Sequence, residues 1–234
     1  MLKKSILLEN KASISTKNLQ LVIKSEIRES TIPIEDIGFI VIDNPEIYLS
    51  IPAMNLLIEN NTSVIICNTN HLPNGMFLNL NSHHIQQEIF KNQINASVPL
   101  KKQLWQQTIV EKITNQGILL EKITSKTNNF EFLASKVLSG DSSNMEGVAA
   151  NFYWKTFFEH KFKRERFGDY PNNFLNYGYA ILRAATARAL SGSGLLNTLG
   201  IHHKSKYNAF ALADDIMEPF RPIIDEKVSE IMQN

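Results

Sequence analysis

The spacing of apolar residues changes partway along this chain, and that change limits what it can fold into more than any other feature. Up to about residue 80, β-branched and large apolar residues come in short runs cut by polar turns, so residues 5–8, 19–23, 37–42 and 63–67 read as strands. Leu19, Leu21 and Ile23 alternate, which puts one face of their strand on a core. Residues 50–60 read as a short helix, with Pro52 in its first turn and Ile51, Met54 and Ile58 on one side. From about Ser82 the period becomes that of a helix, through Ile85, Ile89, Ile94, Leu100, Leu104, Ile109 and Ile113. Residues 71–80, with Pro73 and Gly75, form the expected hairpin or boundary. The fold class that follows is α+β: a β-rich N-terminal domain over residues 1–75, then an all-helical domain over residues 76–234.

Three later stretches read as helices. Residues 145–158 are apolar with Glu146 at the start, and residues 172–190 carry Phe174, Gly178, Ile181 and Ala185 one turn apart. Ala180, Ala184, Ala185, Ala187 and Ala189 trim that second helix so that a neighbour can come close. Ile216, Phe220, Ile224, Val228 and Ile231 form a stripe near the end.

Charge and cysteine usage remove several functional classes. With 24 Lys and Arg against 23 Asp and Glu, the chain as a whole does not steer a polyanion, so any binding of a nucleic acid has to rest on a local patch. Lys155, Lys161, Lys163, Arg164 and Arg166, interrupted by Glu159 and Glu165, form one candidate patch; Arg183, Arg188, Lys204 and Lys206 form another. The single cysteine, Cys67, leaves no internal disulfide and no multi-cysteine zinc site, and its apolar run makes it a buried structural thiol. Charges interrupt every apolar run in the first 30 residues and no run spans a bilayer, so no signal peptide or membrane anchor is expected and a cytoplasmic location is.

The residues able to carry chemistry lie in the helical part. Glu146 opens a weakly polar helix face, where a carboxylate either favours the positive end of the helix or supplies oxygen to a hard cation. Asp214, Asp215 and Glu218 form a denser acidic group; Asp215 and Glu218 share a face if the segment is helical, and a divalent cation would offset their repulsion. A solvated helix start is the alternative for this group. His202 and His203 follow a glycine-rich stretch, and neighbours on a helix point apart, so one ion is not expected to take both.

The runs Glu146-Gly147-Val148-Ala149-Ala150, Leu199-Gly200-Ile201-His202-His203 and Asp215-Ile216-Met217-Glu218-Pro219-Phe220-Arg221-Pro222, with Leu175-Asn176-Tyr177-Gly178-Tyr179 between them, resemble the CRISPR-associated spacer-acquisition endonuclease and integrase family, in particular its type II members. The likeness extends over essentially the whole chain. It implies that Glu146, His203 and Glu218 are ligands of Mg2+ or Mn2+, with Asp215 beside them as an acidic support or alternate ligand. Glu218 takes a place often filled by aspartate, keeping the oxygen but lengthening the stem. Met145 and Asn151 stand where the type II pattern often has arginine, and the chain ends at Asn234 where similar proteins continue with further helices, as a shortened member or a truncated chain.

The resemblance further implies a β-rich domain that self-dimerises, and two such dimers flanking a dimer of the smaller second CRISPR adaptation protein in a heterohexamer. It implies the reaction as well: the 3′ hydroxyl of a captured DNA segment attacks a phosphodiester at a repeat border, with the metal activating the nucleophile and stabilising developing charge. Two other functions use the same residues: nonspecific metal-dependent DNA hydrolysis, and a catalytically weak structural role in binding DNA or the adaptation partner.

Overall fold

The computed structural model describes residues 3–81, 83–125, 129–158, 162–165 and 168–233. A β-sheet-rich N-terminal region is followed by a helical C-terminal region, as the change of period predicts. Two compact units divide the chain: residues 1–86 with 188–195, and residues 87–187 with 196–234.

The first unit holds two four-stranded sheets. One has the order β1 (Lys4–Leu8), β5 (Ile37–Ile42), β7 (Ser63–Cys67), β8 (Pro73–Phe77), parallel except for the last pair; the other has the order β4 (Glu29–Pro33), β3 (Gln20–Lys24), β2 (Ala12–Lys17), β6 (Ile47–Leu49). Helix α1 (Ile51–Glu59) joins them around a core of Leu8, Ile14, Leu21, Ile37, Ile40 and Leu57. The Ser50 side chain accepts the N–H of Ala53 and so caps α1, and Pro52 occupies its first turn.

Two details correct the sequence reading. Leu19, expected in an inward-facing alternation, sits with Asn18 in a left-handed turn between β2 and β3 and is 74% exposed, while Leu21 is fully buried. The buried side of α1 is Ala53 and Leu57, not Ile51, which the helix start leaves 66% exposed. Residues 71–80 are a hairpin arm, since β8 pairs antiparallel with β7.

The second unit is built on α3 (Val98–Thr124), capped by Ser97 and started by Pro99, with α2 (Gln86–Ile94) before it. Packed on α3 are α4 (Phe130–Ser135) and α5 (Met145–Phe157), sharing a core of Trp105, Ile109, Ile113, Phe130 and Tyr153. The remaining helices are α6 (Asn172–Gly192), whose residues from Arg188 on belong to the first unit, α7 (Ala211–Met217) and α8 (Arg221–Gln233). Ile85, Ile94 and Leu100 are exposed despite their helical spacing, and Gln93 anchors its turn instead through hydrogen bonds to Leu196 and Leu199. Leu175 and Tyr179, rather than Phe174, line the buried side of α6. The stripe expected from Ile216 to Ile231 is interrupted at the 3-10 turn Glu218–Phe220, which leaves Phe220 exposed; Val228 is buried, and Ile231, near the end of α8, is exposed. Among the described residues, no helix is long and apolar enough to cross a membrane.

Candidate active site

The site is assembled within the second unit by α3, the start of α5, the loop before α7, and the turn joining α7 to α8. The Asp141 carboxylate accepts the N–H groups of Met145 at 2.8 Å and Glu146 at 3.0 Å, which satisfies two of the open donors at the start of α5 and fixes Glu146 there. The Glu146 side chain, 30% exposed, reaches Lys112 Nζ at 2.6 Å. Glu218 opens the 3-10 turn; its Oε2 lies 2.5 Å from the same Nζ and its Oε1 accepts from Arg221 at 2.8 Å. Two carboxylates remote in sequence thus meet on one positive charge.

The second acidic element is a loop clamp. Asp215, fully buried in α7, accepts the N–H groups of Ile201 at 2.6 Å and His202 at 2.9 Å on Oδ2, and of His203 at 3.2 Å on Oδ1. The same Oδ1 lies 2.5 Å from His203 Nδ1. Gly200 makes this turn possible, since a Cβ there would come within 2.6 Å of the His203 carbonyl oxygen. His202 points elsewhere and stacks on Trp105, with centroids 4.2 Å apart. Asp214 also turns away, paired with Arg183 and Asn208. Asp214, Asp215 and Glu218 are all buried, so the acidic group is not a solvated helix start.

Electrostatics follow from these contacts. Burial pushes the Glu218 carboxyl upward, but the Lys112 and Arg221 cations outweigh it and hold the group below the usual glutamate range. The hydrogen bond to Asp215 raises His203 above the ordinary histidine value, against the opposing effect of burial. Beside the pair is a cavity of about 240 Å3 bordered by Lys112, Gln116, Glu146, Arg164, Glu218 and Arg221.

The fold therefore brings Glu146 and Glu218 together and joins Asp215 to His203, but His203 does not join the carboxylate pair as a ligand set. Among the described residues, no three His, Cys, Asp or Glu side chains are arranged to hold a metal ion. The donor chemistry nevertheless fits a hard divalent cation. Two carboxylates converge on a cation, and Glu218 Oε2 is buried with the Lys112 ammonium, 2.5 Å away, as its partner.

Sequence reasoning missed Lys112, whose position on a long helix carries no motif. It also missed Asp225 of α8, fully buried, which accepts hydrogen bonds from the Tyr153 and Tyr179 hydroxyls. Burial raises Asp225 to about 6 even though both tyrosines and Arg221 favour its charged form. The basic patches are partly structural. Arg164 bonds Asn172 and Asn176 and lies over the Tyr179 ring; Arg188 donates to the Gly38 and Asn61 carbonyls inside the first unit. Lys155, Lys204 and Lys206 are exposed, and Lys161 and Arg166 lie outside the described residues.

A family model described as CRISPR associated protein Cas1 matches residues 6–234. This chain belongs to the Cas1 family. It is 39% identical over 232 residues to a CRISPR-associated endonuclease Cas1 of Neisseria meningitidis serogroup C, covering 98% of this chain and 76% of that one. Solved structures share the Cas1 fold. A casposase bound to integration product matches with a TM-score of 0.72 and 24% identity, covering 98% of this chain and 73% of that one. A Cas6-RT-Cas1–Cas2 complex matches with a TM-score of 0.73 and 23% identity, covering 99% of this chain and 28% of that one.

Proposed function

We propose that this Cas1-family chain is a metal-dependent DNA endonuclease and integrase that inserts new spacers at CRISPR repeat borders. The observation that carries the proposal is the meeting of Glu146 and Glu218 on a single positive charge, beside a His203 loop held by buried Asp215. Glu146, Glu218 and His203 would hold Mg2+ or Mn2+. When bound, such a cation raises the nucleophilicity of a 3′ hydroxyl and stabilises charge on the attacked phosphate.

The protein's own residues prepare the rest. Asp215 engages His203 Nδ1, which makes Nε2 the nitrogen available to a ligand or a phosphate oxygen. In the reaction, the donor 3′ oxygen forms a bond to the target phosphorus, the bond from phosphorus to the target's own 3′ oxygen breaks, and the hydroxyl proton passes to the released 3′ end. No nucleotide is hydrolysed. Lys155, Lys204 and Lys206 offer exposed charge for backbone contacts.

The same proposal includes the type II affiliation, supported by the runs around Glu146, His203 and Glu218, and assembly with the smaller adaptation protein, supported by the likeness to a complex containing Cas2. The β-rich unit is proposed as the self-dimerising part. Leu7 and Ile27 are exposed beside a cleft of about 680 Å3 in that unit, apolar surface that a second copy would cover.

The test is a gel-based joining assay with a labelled 3′-hydroxyl segment and a repeat-containing target, in Mg2+ or Mn2+, with and without Cas2. Metal-dependent joining at repeat borders is expected. Cleavage without joining points to a nonspecific nuclease, and a stable DNA complex without chemistry points to a structural component.

A further inference from the structure

Lys112 has no task in the chemistry above, yet it is buried in the middle of α3. Lysine is rarely buried so deeply unless it is paired, because an ammonium leaving water needs strong partners. Here the partners are Glu146 and Glu218, at 2.6 and 2.5 Å. Without a cation between them, the two carboxylates would repel each other, and Glu218 is buried away from the water that would screen it.

Carboxylate oxygens bind Mg2+ at about 2.0–2.1 Å. An ion held by both oxygens would overlap the space that Nζ now fills. We propose that Lys112 is the built-in counter-cation of this pair: in the metal-free protein its ammonium holds the position that a divalent ion takes, and the ion binds only as Lys112 swings away. This inference rests on the metal-site proposal for Glu146 and Glu218. The structure also supplies a place for the displaced ammonium. Gln116, one turn further along α3, has a buried Oε1 without a hydrogen-bond partner and borders the same cavity of about 240 Å3 as Lys112.

Exclusion of this kind lowers apparent metal affinity by the fraction of molecules in which the lysine is out of the way, so a site held mostly closed gains about tenfold when the lysine is removed. Lys112→Met keeps the length of the stem and deletes the charge. Its affinity for Mn2+ alone, read from the electron paramagnetic resonance signal of free Mn2+, is expected to be about tenfold tighter than the parent's. Its melting temperature in EDTA is expected to fall below the parent's, and its rise on adding Mn2+ to be larger. Lys112→Arg moves the other way: a two-pronged guanidinium grips the carboxylates more firmly and weakens Mn2+ binding, so that variant decides the matter if Lys112→Met does not fold.

Glu218→Gln separates the two possible failures. If the parent shows no Mn2+ binding that this change removes, the metal-site proposal fails, and Lys112 has nothing to exclude. If the parent binds Mn2+ through Glu218 while both lysine variants match its affinity, the counter-cation proposal alone is overturned.

Discussion

Asp215 engages His203 twice, at the backbone N–H and at ring Nδ1, 3.2 and 2.5 Å from the same carboxylate oxygen. Its other oxygen accepts from Ile201 and His202, so one buried side chain sets both the loop and the histidine ring. Asp215→Ala would strip three partly buried backbone donors of their acceptor, and a donor left unpaired costs about 1–3 kcal/mol where it is buried and less where water reaches it. A loss on the order of 2 to 3 kcal/mol in urea denaturation is expected, together with loss of DNA joining. Asp215→Asn keeps the volume but turns an amide toward N–H donors; it should cost less stability and still suppress joining. A variant as stable as the parent would show that Asp215 does not clamp the loop.

Glu146 and Glu218 share Lys112 but differ in enclosure. Glu218 is buried between two cations, and Glu218→Gln leaves both under-neutralised, an expected loss of about 3 kcal/mol. Glu146 is partly exposed, so Glu146→Gln should cost about 1 kcal/mol or less. Both changes should abolish metal-dependent joining. Equal stability losses measured by urea denaturation would mean that the burial difference is not felt.

How much of this was open to sequence reading depended on whether a residue's neighbours advertised it. Ile37–Ile42 and Ser63–Cys67 are apolar enough to read as strands at their observed bounds. Ala12–Lys17, Glu29–Pro33 and Pro73–Phe77 are polar or interrupted by proline and glycine, and become strands because partners supply the ladder. Glu146 and Glu218 stand in recognisable runs. Lys112 lies 34 residues before Glu146 on a helix with charges all along it, and nothing in its spacing separates an inward lysine from a solvated one. Asp225 shows the same limit, since only the approach of Tyr153 and Tyr179 from other helices makes it a buried acid.

Asp225 gives a pH signature. An acid whose folded pKa, about 6, exceeds its ordinary value of 3.8 binds its proton more tightly in the folded protein. Its ionisation therefore works against the fold: its effect is absent below pH 3.8, grows as pH rises from there, and is complete above about 6. The difference in unfolding free energy between Asp225→Asn and the parent should shift in the variant's favour by about 3 kcal/mol between pH 3.5 and 7. Taking the difference cancels the other carboxylates. A difference constant across that range would mean that Asp225 does not titrate there.

Two glycines make the same steric argument with different endings. A Cβ on Gly178 of α6 would lie 2.3 Å from Ile224 Cγ2 of α8, and one on Gly200 would lie 2.6 Å from the His203 carbonyl oxygen. Gly178→Ala is overpacking against a side chain, with an expected cost of about 1–3 kcal/mol. Adding Ile224→Ala removes the obstructing methyl, so the double variant should be more stable than the sum of the two single losses implies, with a coupling of about 1 kcal/mol or more in denaturation cycles. Gly200→Ala meets backbone, which no side-chain change relieves. That variant should lose joining activity whatever is substituted around it, because the turn that carries His203 onto Asp215 no longer closes. Retention of joining by Gly200→Ala would show that the loop can seat His203 by another route.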